Sequence, residues 1–222
     1  MKQISILLQP YKDLVGAAAG FVTILQFFSG GFLCKDIYKK KSTAGIPSMP
    51  FIGGVIIGIL MLKYSIMLND STMLIVNAAA IVLNVLYTLF YTTYSQDKIT
   101  EIFKPLSYGI GLVAILFGYI ALEDPSVVED RYGLIITVLL LSLIASPLAE
   151  LGDILKTKDA SRIPFPITFT GTICAFLWLL YGVILLNQFM VFQNGVGLLL
   201  CVIQLALCFM YPKKEQHKKK TK

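Results

Sequence analysis

The chain repeats itself at an offset of 117 residues, the distance from Asn77 to Asn194, and its first third aligns with its last third without a gap. The matched identities fall on prolines, glycines, polar residues and tyrosines, which chance alignment of two apolar segments would not favour. They include Ser29 with Ser146, Pro47 with Pro164, Gly54 with Gly171, and Tyr64 with Tyr181. An internal repeat of this length in an apolar chain predicts two equivalent half-bundles around a central path.

The composition places these half-bundles in a membrane. Hydrophobic residues make up 56% of the chain and charged residues only 14%, whereas soluble domains carry about a quarter charged residues. Seven apolar stretches reach the roughly 20 residues that a membrane-crossing helix needs. They lie at 14–34, 48–68, 73–94, 106–122, 132–150, 165–186 and 189–210. Because these spans fill most of the chain, no soluble catalytic domain is expected.

The basic residues predict the orientation, since lysine and arginine concentrate in cytosolic loops. They cluster after the first, third and fifth spans and in the tail: Lys35, Lys39, Lys40, Lys41, Lys98, Lys104, Lys156, Lys158, Arg162, Lys213, Lys214, Lys218, Lys219, Lys220 and Lys222. The opposite side carries the acidic pairs Glu123-Asp124 and Glu129-Asp130. We therefore expect an outside or lumenal N-terminus and a cytosolic C-terminus. This sorting also explains the net charge of +6 without nucleic-acid binding.

The repeat unit contains three spans, an odd number, so a second unit joined directly to the first would be inverted. The unrepeated fourth span restores the orientation. The predicted fold is therefore an all-α membrane protein with two parallel three-helix repeats joined by an inverting helix, in a 3+1+3 layout. The predicted boundaries are 1–100, 101–124, 125–212 and a basic tail at 213–222. A seven-span receptor would share the span count, but its loops are longer and its thirds have no reason to superimpose.

Catalytic chemistry has few candidate residues. The spans contain no Ser-His-Asp arrangement, no metal-binding cluster and almost no ionisable groups, so neither an enzyme nor a cofactor is expected. The acids near spans, Asp36, Glu150 and Asp153, all lie at predicted cytosolic ends. Ionisable groups at membrane mid-depth usually mark ion coupling, so their absence favours a passive uniporter.

Neutral polar and aromatic residues are the candidates for the path. Asn77 and Asn194 occupy equivalent positions, and a carboxamide can donate to and accept from sugar hydroxyls; interhelical hydrogen bonding is the alternative role. Trp178 could stack on a sugar ring or simply pack, and its repeat partner is the apolar Met61. The equivalent Tyr64 and Tyr181 could close the path at its outer end or belong to an aromatic belt.

The prolines are candidate hinges, because proline removes a helix hydrogen bond. Pro147 interrupts the fifth span and Pro164 opens the sixth. Pro47 and Pro50 open the second span. A proline at a helix start can also be only a boundary marker.

Together these segments resemble the SWEET family of sugar transporters, its animal members most closely. The similarity lies in KKKSTAGIPSMPF, SPLAELGDILKTKDASRIPFP, FLWLLYG and FQNGVG. The resemblance implies bidirectional facilitated transport of mono- or disaccharides by alternating access, with assembly into homo-oligomers. It also implies substrate contacts at Asn77, Asn194 and Trp178, and a hinge tetrad at Pro50, Pro147, Pro164 and the position of Gly30.

Two departures from the family pattern affect the first repeat. Gly30 replaces the proline of the tetrad, within Ser29-Gly30-Gly31. The second span supplies Gly58, Met61 and Tyr64-Ser65 where many members carry polar residues or tryptophan before Tyr-Gly, so one pocket wall is less polar.

We therefore predict a passive sugar uniporter in the plasma membrane, with the Golgi or another endomembrane as the alternative location. Its expected partners are the sugar, membrane lipid and further copies of itself. A carrier of amino acids or another small solute, and a non-transporting membrane adaptor or receptor on the same scaffold, remain as alternatives.

Overall fold

The computed structural model describes residues 1–143, 145–161 and 163–211, and within them the side chains at 145–150 are not described. These ranges are helical apart from short connections and contain no strand. The α-helices are α1 Lys2–Leu8, α2 Lys12–Phe27, α3 Gly30–Lys40, α4 Met49–Met67, α5 Ser71–Tyr94, α6 Lys104–Leu122, α7 Val128–Ser142, α8 Ala145–Thr157, α9 Phe165–Ile184 and α10 Gln188–Met210. A 3₁₀ turn, Gln9–Tyr11, joins α1 to α2, and a π-helical turn, Ile99–Phe103, precedes α6. The all-α prediction is confirmed.

Within the described ranges, six helical stretches are long and apolar enough to cross a membrane. They are Lys2–Lys40, Met49–Met67, Ser71–Tyr94, Ile99–Leu122, Phe165–Ile184 and Gln188–Met210. The predicted fifth span, 132–150, instead falls on two shorter helices, α7 and α8. The amide of Leu143 donates to the carbonyl of Leu140, three residues back, as α7 ends. The sequence supplies a reason, because Pro147 has no N–H to donate to the carbonyl of Leu143.

The chain forms two compact units. The first unit contains Gly16–Ile136, and the second contains Met1–Val15 together with the chain from Thr137 onward. Within the second unit α1 packs against α9, and the buried Ser5 hydroxyl donates to the carbonyl of Ile184 at 2.9 Å. The first 15 residues therefore group with the second repeat. The predicted boundaries near 100 and 125 were drawn from sequence equivalence, and they stay a prediction.

Gly54 and Gly109 allow α4 to pack closely against α5 and α6. α4 and α5 form a helical hairpin, and α6 packs against α4. A Cβ at Gly54 would lie 2.5 Å from the carboxamide of Asn84, and one at Gly109 would lie 2.5 Å from Ile56. Small residues let helices approach closely where the surrounding lipid supplies no hydrophobic drive for association. Larger residues at these positions would push the helices apart.

The repeat extends to individual backbone dihedral angles. Among the described residues other than glycine, positive φ occurs at Lys41 (52°), Asn69 (50°), Lys158 (51°) and Leu186 (55°). Lys41 and Lys158 are equivalent under the 117-residue offset, and so are Asn69 and Leu186. Left-handed backbone is unfavourable for residues with a Cβ, so unrelated segments would rarely place it at matching positions. The two repeats therefore share their turn geometry as well as their hydrophobic pattern.

Candidate functional site

The turns before α5 and α10 place the two candidate asparagines in the same way. Asp70 Oδ1 accepts the amide N–H of Met73 at 2.8 Å, and the equivalent Asn187 Oδ1 accepts that of Met190 at 2.9 Å. Such caps satisfy an amide that has no partner inside the helix. Since Asn77 and Asn194 each follow their cap by seven residues, both lie two turns into their helix.

Both hydrogens of the Asn77 amide nitrogen are engaged. Nδ2 donates to the carbonyl of Met73 at 2.8 Å and to Ser65 Oγ at 3.1 Å. Ser65 Oγ in turn donates to the carbonyl of Met61 at 2.7 Å. The Asn77 side chain is half-buried, and within the described residues its Oδ1 accepts no hydrogen bond. Asn77 therefore has one unused hydrogen-bonding atom, an acceptor.

Asn194 makes half of this pattern. Its Nδ2 donates to the carbonyl of Met190 at 2.9 Å, the equivalent of the bond from Asn77 to Met73. The residue equivalent to Ser65 is Gly182, which has no hydroxyl. The half-buried Asn194 therefore keeps one N–H and its Oδ1 without a partner among the described residues.

The aromatic candidates are ordered by their neighbours. Trp178 and Tyr181 of α9 make an edge contact, with ring centroids 5.6 Å apart and an interplanar angle of 82°. Tyr64 packs against Tyr132 with centroids 6.2 Å apart, and the Tyr132 hydroxyl donates to the carbonyl of Leu60 at 3.0 Å. Tyr64 and Tyr181 are only 2% and 1% exposed, which does not fit residues of a headgroup-facing aromatic belt.

Two of the candidate hinges lie at helix starts. Pro50 is in the first turn of α4. Pro164 precedes α9, and its carbonyl accepts the amides of Ile167 at 3.0 Å and Thr168 at 3.1 Å. Proline is well tolerated at such positions because its missing N–H would be unpaired anyway. The side chain of Pro147 lies outside the described residues.

Gly30, the fourth candidate hinge, begins α3 three residues after α2 ends at Phe27. A Cβ at Gly30 would lie 2.5 Å from the ring of Tyr87, whose hydroxyl donates to the carbonyl of Phe27 at 3.2 Å. Proline is compatible with a helix start, but its ring would overlap Tyr87. The packing on α5 therefore explains the glycine at this position.

Sequence reasoning missed a carboxylate that ties three segments of the first unit together. Glu101 lies in the π-helical turn. Its Oε2 accepts hydrogen bonds from hydroxyl groups in the α3–α4 connection and at the end of α5. The donors are Ser95 Oγ at 2.7 Å and Thr43 Oγ1 at 3.1 Å. The Tyr91 hydroxyl lies 3.3 Å from the same carboxylate, but its single hydrogen is donated to the carbonyl of Ile46 at 2.8 Å. The carbonyl of Glu101 also accepts the Ser48 hydroxyl. The sequence signal is weak, because Thr43 and Glu101 are 58 residues apart.

A second carboxylate, Glu123, joins α6 to α7. It accepts the Tyr119 hydroxyl at 2.7 Å and pairs with the Arg131 guanidinium at 2.6 Å. The Tyr119 hydrogen bond and then the Arg131 hydrogen bond lower the pKa of Glu123 to about 2. The Glu123 carboxylate is therefore ionised at physiological pH. Elsewhere in the described ranges, no group of three or more histidine, cysteine or acidic side chains is close enough to hold a metal.

Comparison with known proteins gives one family for both halves of the chain. A family model described as "Sugar efflux transporter for intercellular exchange" matches residues 13–99 and again 130–216. The two matched stretches are displaced by the same offset as Asn77 and Asn194.

Curated relatives match over most of their length. "Sugar transporter SWEET1" of Drosophila pseudoobscura pseudoobscura is 27% identical, covering 90% of this chain and 89% of the relative. The mouse protein of the same name is 28% identical, with 93% and 94% covered. "Bidirectional sugar transporter N3" of Medicago truncatula is 29% identical, with 88% and 75% covered. A solved structure of a eukaryotic SWEET transporter superimposes with a TM-score of 0.83 at 25% identity, covering 92% of this chain and 98% of the other.

Proposed function

Since the chain belongs to the MtN3/SWEET family of sugar transporters, we propose that it moves mono- or disaccharides passively and in both directions across a membrane by alternating access. It is a multi-pass membrane carrier and not an enzyme. The observation that carries the proposal is the family match to both repeats, each with a half-buried asparagine two turns after an equivalent helix cap. The relatives reported above are named as sugar transporters, and none as a carrier of amino acids or as an adaptor.

In this proposal Asn77 and Asn194 bind sugar hydroxyls. Their carboxamides are neutral, so they can exchange hydrogen bonds with a substrate without the cost of burying a charge. Trp178 offers a rigid aromatic face for the C–H side of the sugar ring, held by its edge contact with Tyr181. Met61 gives the equivalent position in the first repeat an apolar, adaptable surface.

The helices that carry Asn77, Trp178 and Asn194 support passive transport. α5, α9 and α10 contain no charged residue along their full lengths. A carrier that couples to protons or ions needs a group that changes charge near the middle of the membrane. Uptake is therefore expected to depend on the sugar gradient and to be independent of an imposed proton gradient.

The gate and hinge residues of the proposed transport cycle are those predicted from the sequence. Tyr64 and Tyr181 close the path at its outer end, and Gly30, Pro50, Pro147 and Pro164 let the helices bend at the cytosolic end. The N-terminus faces outside and the basic tail faces the cytosol, where it contacts anionic lipid. We place the protein in the plasma membrane as a homo-oligomer that binds no nucleic acid.

Uptake of labelled hexoses into cells without carriers of their own tests the proposal. Expression of the chain should confer saturable uptake, and Asn194→Ala and Trp178→Ala should each reduce it by about tenfold or more. Ser107→Ala is a matched control, because this exposed hydroxyl donates only to the carbonyl of Lys104. A panel of labelled amino acids serves as the counter-test. Uptake of an amino acid but of no sugar would contradict the proposal, and so would full sugar uptake by both variants.

A further inference from the structure

The two candidate asparagines differ in how many amide hydrogens remain available to a substrate. Asn77 donates both amide hydrogens within the protein, one to the Met73 carbonyl and one to Ser65 Oγ. Asn194 donates only one, to the Met190 carbonyl. A reversed Asn77 carboxamide would set its oxygen against the Met73 carbonyl, two acceptors with no hydrogen between them, so the amide has a single favourable orientation.

We propose that Ser65 is a positioning residue for the substrate, holding the Asn77 carboxamide so that the first repeat presents an acceptor and no donor. The second repeat, through Asn194, presents both an acceptor and a donor. This inference rests on the proposed function, in which both asparagines bind the sugar. The specificity of the carrier is therefore divided unequally between two repeats of the same fold.

Two consecutive hydrogen bonds through the Ser65 hydroxyl allow it to position the Asn77 carboxamide. Asn77 Nδ2 donates to Ser65 Oγ, and Ser65 donates to the Met61 carbonyl at 2.7 Å. Consecutive hydrogen bonds polarise and strengthen one another when water is excluded. Ser65 is completely buried, so neither water nor substrate can replace its hydroxyl.

In the second repeat, helix packing leaves no room for a serine at Gly182, the position equivalent to Ser65. A Cβ at Gly182 would lie 2.9 Å from the Cβ of Met190 and 3.1 Å from the backbone nitrogen of Val191. The α9–α10 turn is therefore too close at this point for a serine. The donor capacity of Asn194 is a consequence of that close approach.

The consequence for the substrate is chemical. A sugar hydroxyl bound by Asn77 must donate its hydrogen, whereas one bound by Asn194 can donate or accept. Fluorine in place of a hydroxyl cannot donate. Among singly fluorinated deoxyhexoses, the analogue altered at the hydroxyl that meets Asn77 should lose the most affinity.

Ser65→Ala tests the inference in the purified full-length carrier. Binding is measured by sugar-dependent thermal stabilisation in nanodiscs, which still reports if transport is lost, and KM is measured by uptake. Loss of the hydroxyl frees one Asn77 N–H, while the bond to the Met73 carbonyl is kept, so Asn77 can then donate as well as accept, as Asn194 does. We expect about a threefold to tenfold weaker affinity for hexose and a smaller penalty for the critical fluorinated analogue. Ser107→Ala, the exposed control, should change neither.

The Asn77→Ala background separates positioning from simple packing. Ser65→Ala should add nothing to sugar affinity there, because the group it orients is gone, and Ser65→Gly should behave like Ser65→Ala. An equal further loss in that background would show that Ser65 acts through packing alone and would overturn the inference. An unchanged fluorine penalty in Ser65→Ala would overturn it as well.

The two proposals fail in different ways. If Asn77→Ala and Asn194→Ala both bind sugar like the unmodified protein, the proposed site is wrong. If those variants lose binding while Ser65→Ala keeps full affinity and the full fluorine penalty, the site stands and the role of Ser65 is wrong.

Discussion

The α3–α4 connection of the first unit and the α8–α9 connection of the second share one backbone turn and use different forces to hold it. The amide of Ile46 donates to the carbonyl of Thr43 at 2.9 Å, and that of Ile163 to the carbonyl of Ala160 at 3.0 Å. These residues are equivalent under the 117-residue offset. Each connection also begins with a lysine in the left-handed region.

The α3–α4 connection is held mainly by polar contacts. Thr43 and Ser48 both donate to Glu101, and the Tyr91 hydroxyl donates to the carbonyl of Ile46 at 2.8 Å. Lys41 places its ammonium 3.6 Å from the centroid of the Tyr38 ring. This segment is held by directional bonds, which specify one arrangement.

The α8–α9 connection packs in a buried apolar cluster. The cluster contains Leu151, Ile154, Ala160, Ile163, Leu200 and Leu207, with Cys208 and Tyr211 at its margin. Among the described residues, the amide of Ala160 donates a long hydrogen bond to the carbonyl of Tyr211, just after α10, at 3.3 Å. The position equivalent to Glu101 is Lys218, which lies outside the described residues. In the part of the chain that the structure describes, the two connections thus share the turn and differ in the contacts around it.

The largest expected effect comes from opening the apolar cluster. Ile154→Ala should lower the free energy of unfolding by about 2–4 kcal/mol, because Ile154 is 1% exposed and its loss leaves a cavity. Leu155→Ala, at the exposed neighbouring residue, should cost much less. Thermal unfolding in detergent measures both. Equal losses would show that the cluster does not hold this connection.

Glu101→Gln should come next, with a loss of about 1–3 kcal/mol, since two hydroxyl donors lose a charged acceptor. Glu129→Gln, at an exposed carboxylate, is the matched control. Proteolysis or hydrogen exchange at residues 42–48 should increase in the Glu101 variant alone. Unchanged protection of this segment would contradict its dependence on polar bonds.

Gly30 and Gly31 allow the packing of α3 to be tested at adjacent residues. Gly30→Ala should cost about 1–2 kcal/mol through overlap with Tyr87, whereas Gly31→Ala has open space and should stabilise the helix slightly. Replacing the Tyr87 ring with a smaller side chain, in Tyr87→Leu, should reduce the loss of stability caused by Gly30→Ala in a double-mutant cycle. Additive costs would mean that Tyr87 is not the obstacle.

The two left-handed lysines should respond differently to glycine. Lys158→Gly relieves an unfavourable dihedral angle and should gain up to about 1 kcal/mol. Lys41→Gly gains the same relief but loses the interaction with Tyr38, worth about 0.5–1 kcal/mol, and should be nearly neutral. Melting temperatures of the two variants provide the comparison. A larger gain at Lys41 would contradict the cation–π contribution.

The smallest effect concerns Glu123, which joins α6 to α7 through one ion pair and one hydroxyl hydrogen bond. Its pKa of about 2 lies below the ordinary 4.5, so its contribution to stability is fully present above pH 4.5 and is lost as pH falls towards 2. The difference in melting temperature between the unmodified protein and Glu123→Gln should therefore stay constant from pH 7 to pH 5 and shrink below pH 4.5. A difference that already narrows at pH 6 would rule out this assignment.

Local patterns in the sequence determined the membrane fold and the equivalence of the two repeats. Apolar runs of about 20 residues and the prolines, glycines and tyrosines matched at one offset can be read from the chain before it is folded. The pairing of Asn77 with Asn194 came from the same offset. The fifth span was less regular than its hydrophobicity indicated, because two shorter helices occupy it.

Only the tertiary structure decided which polar groups meet. The Glu101 hub joins residues 58 positions apart, Gly30 is fitted to Tyr87 on another helix, and residues 1–15 group with the second repeat. The difference between Asn77 and Asn194 arises in the same way. Whether a serine or a glycine fits beside each asparagine depends on how closely two helices approach, and side-chain reach across a helix interface leaves no periodic trace in the sequence.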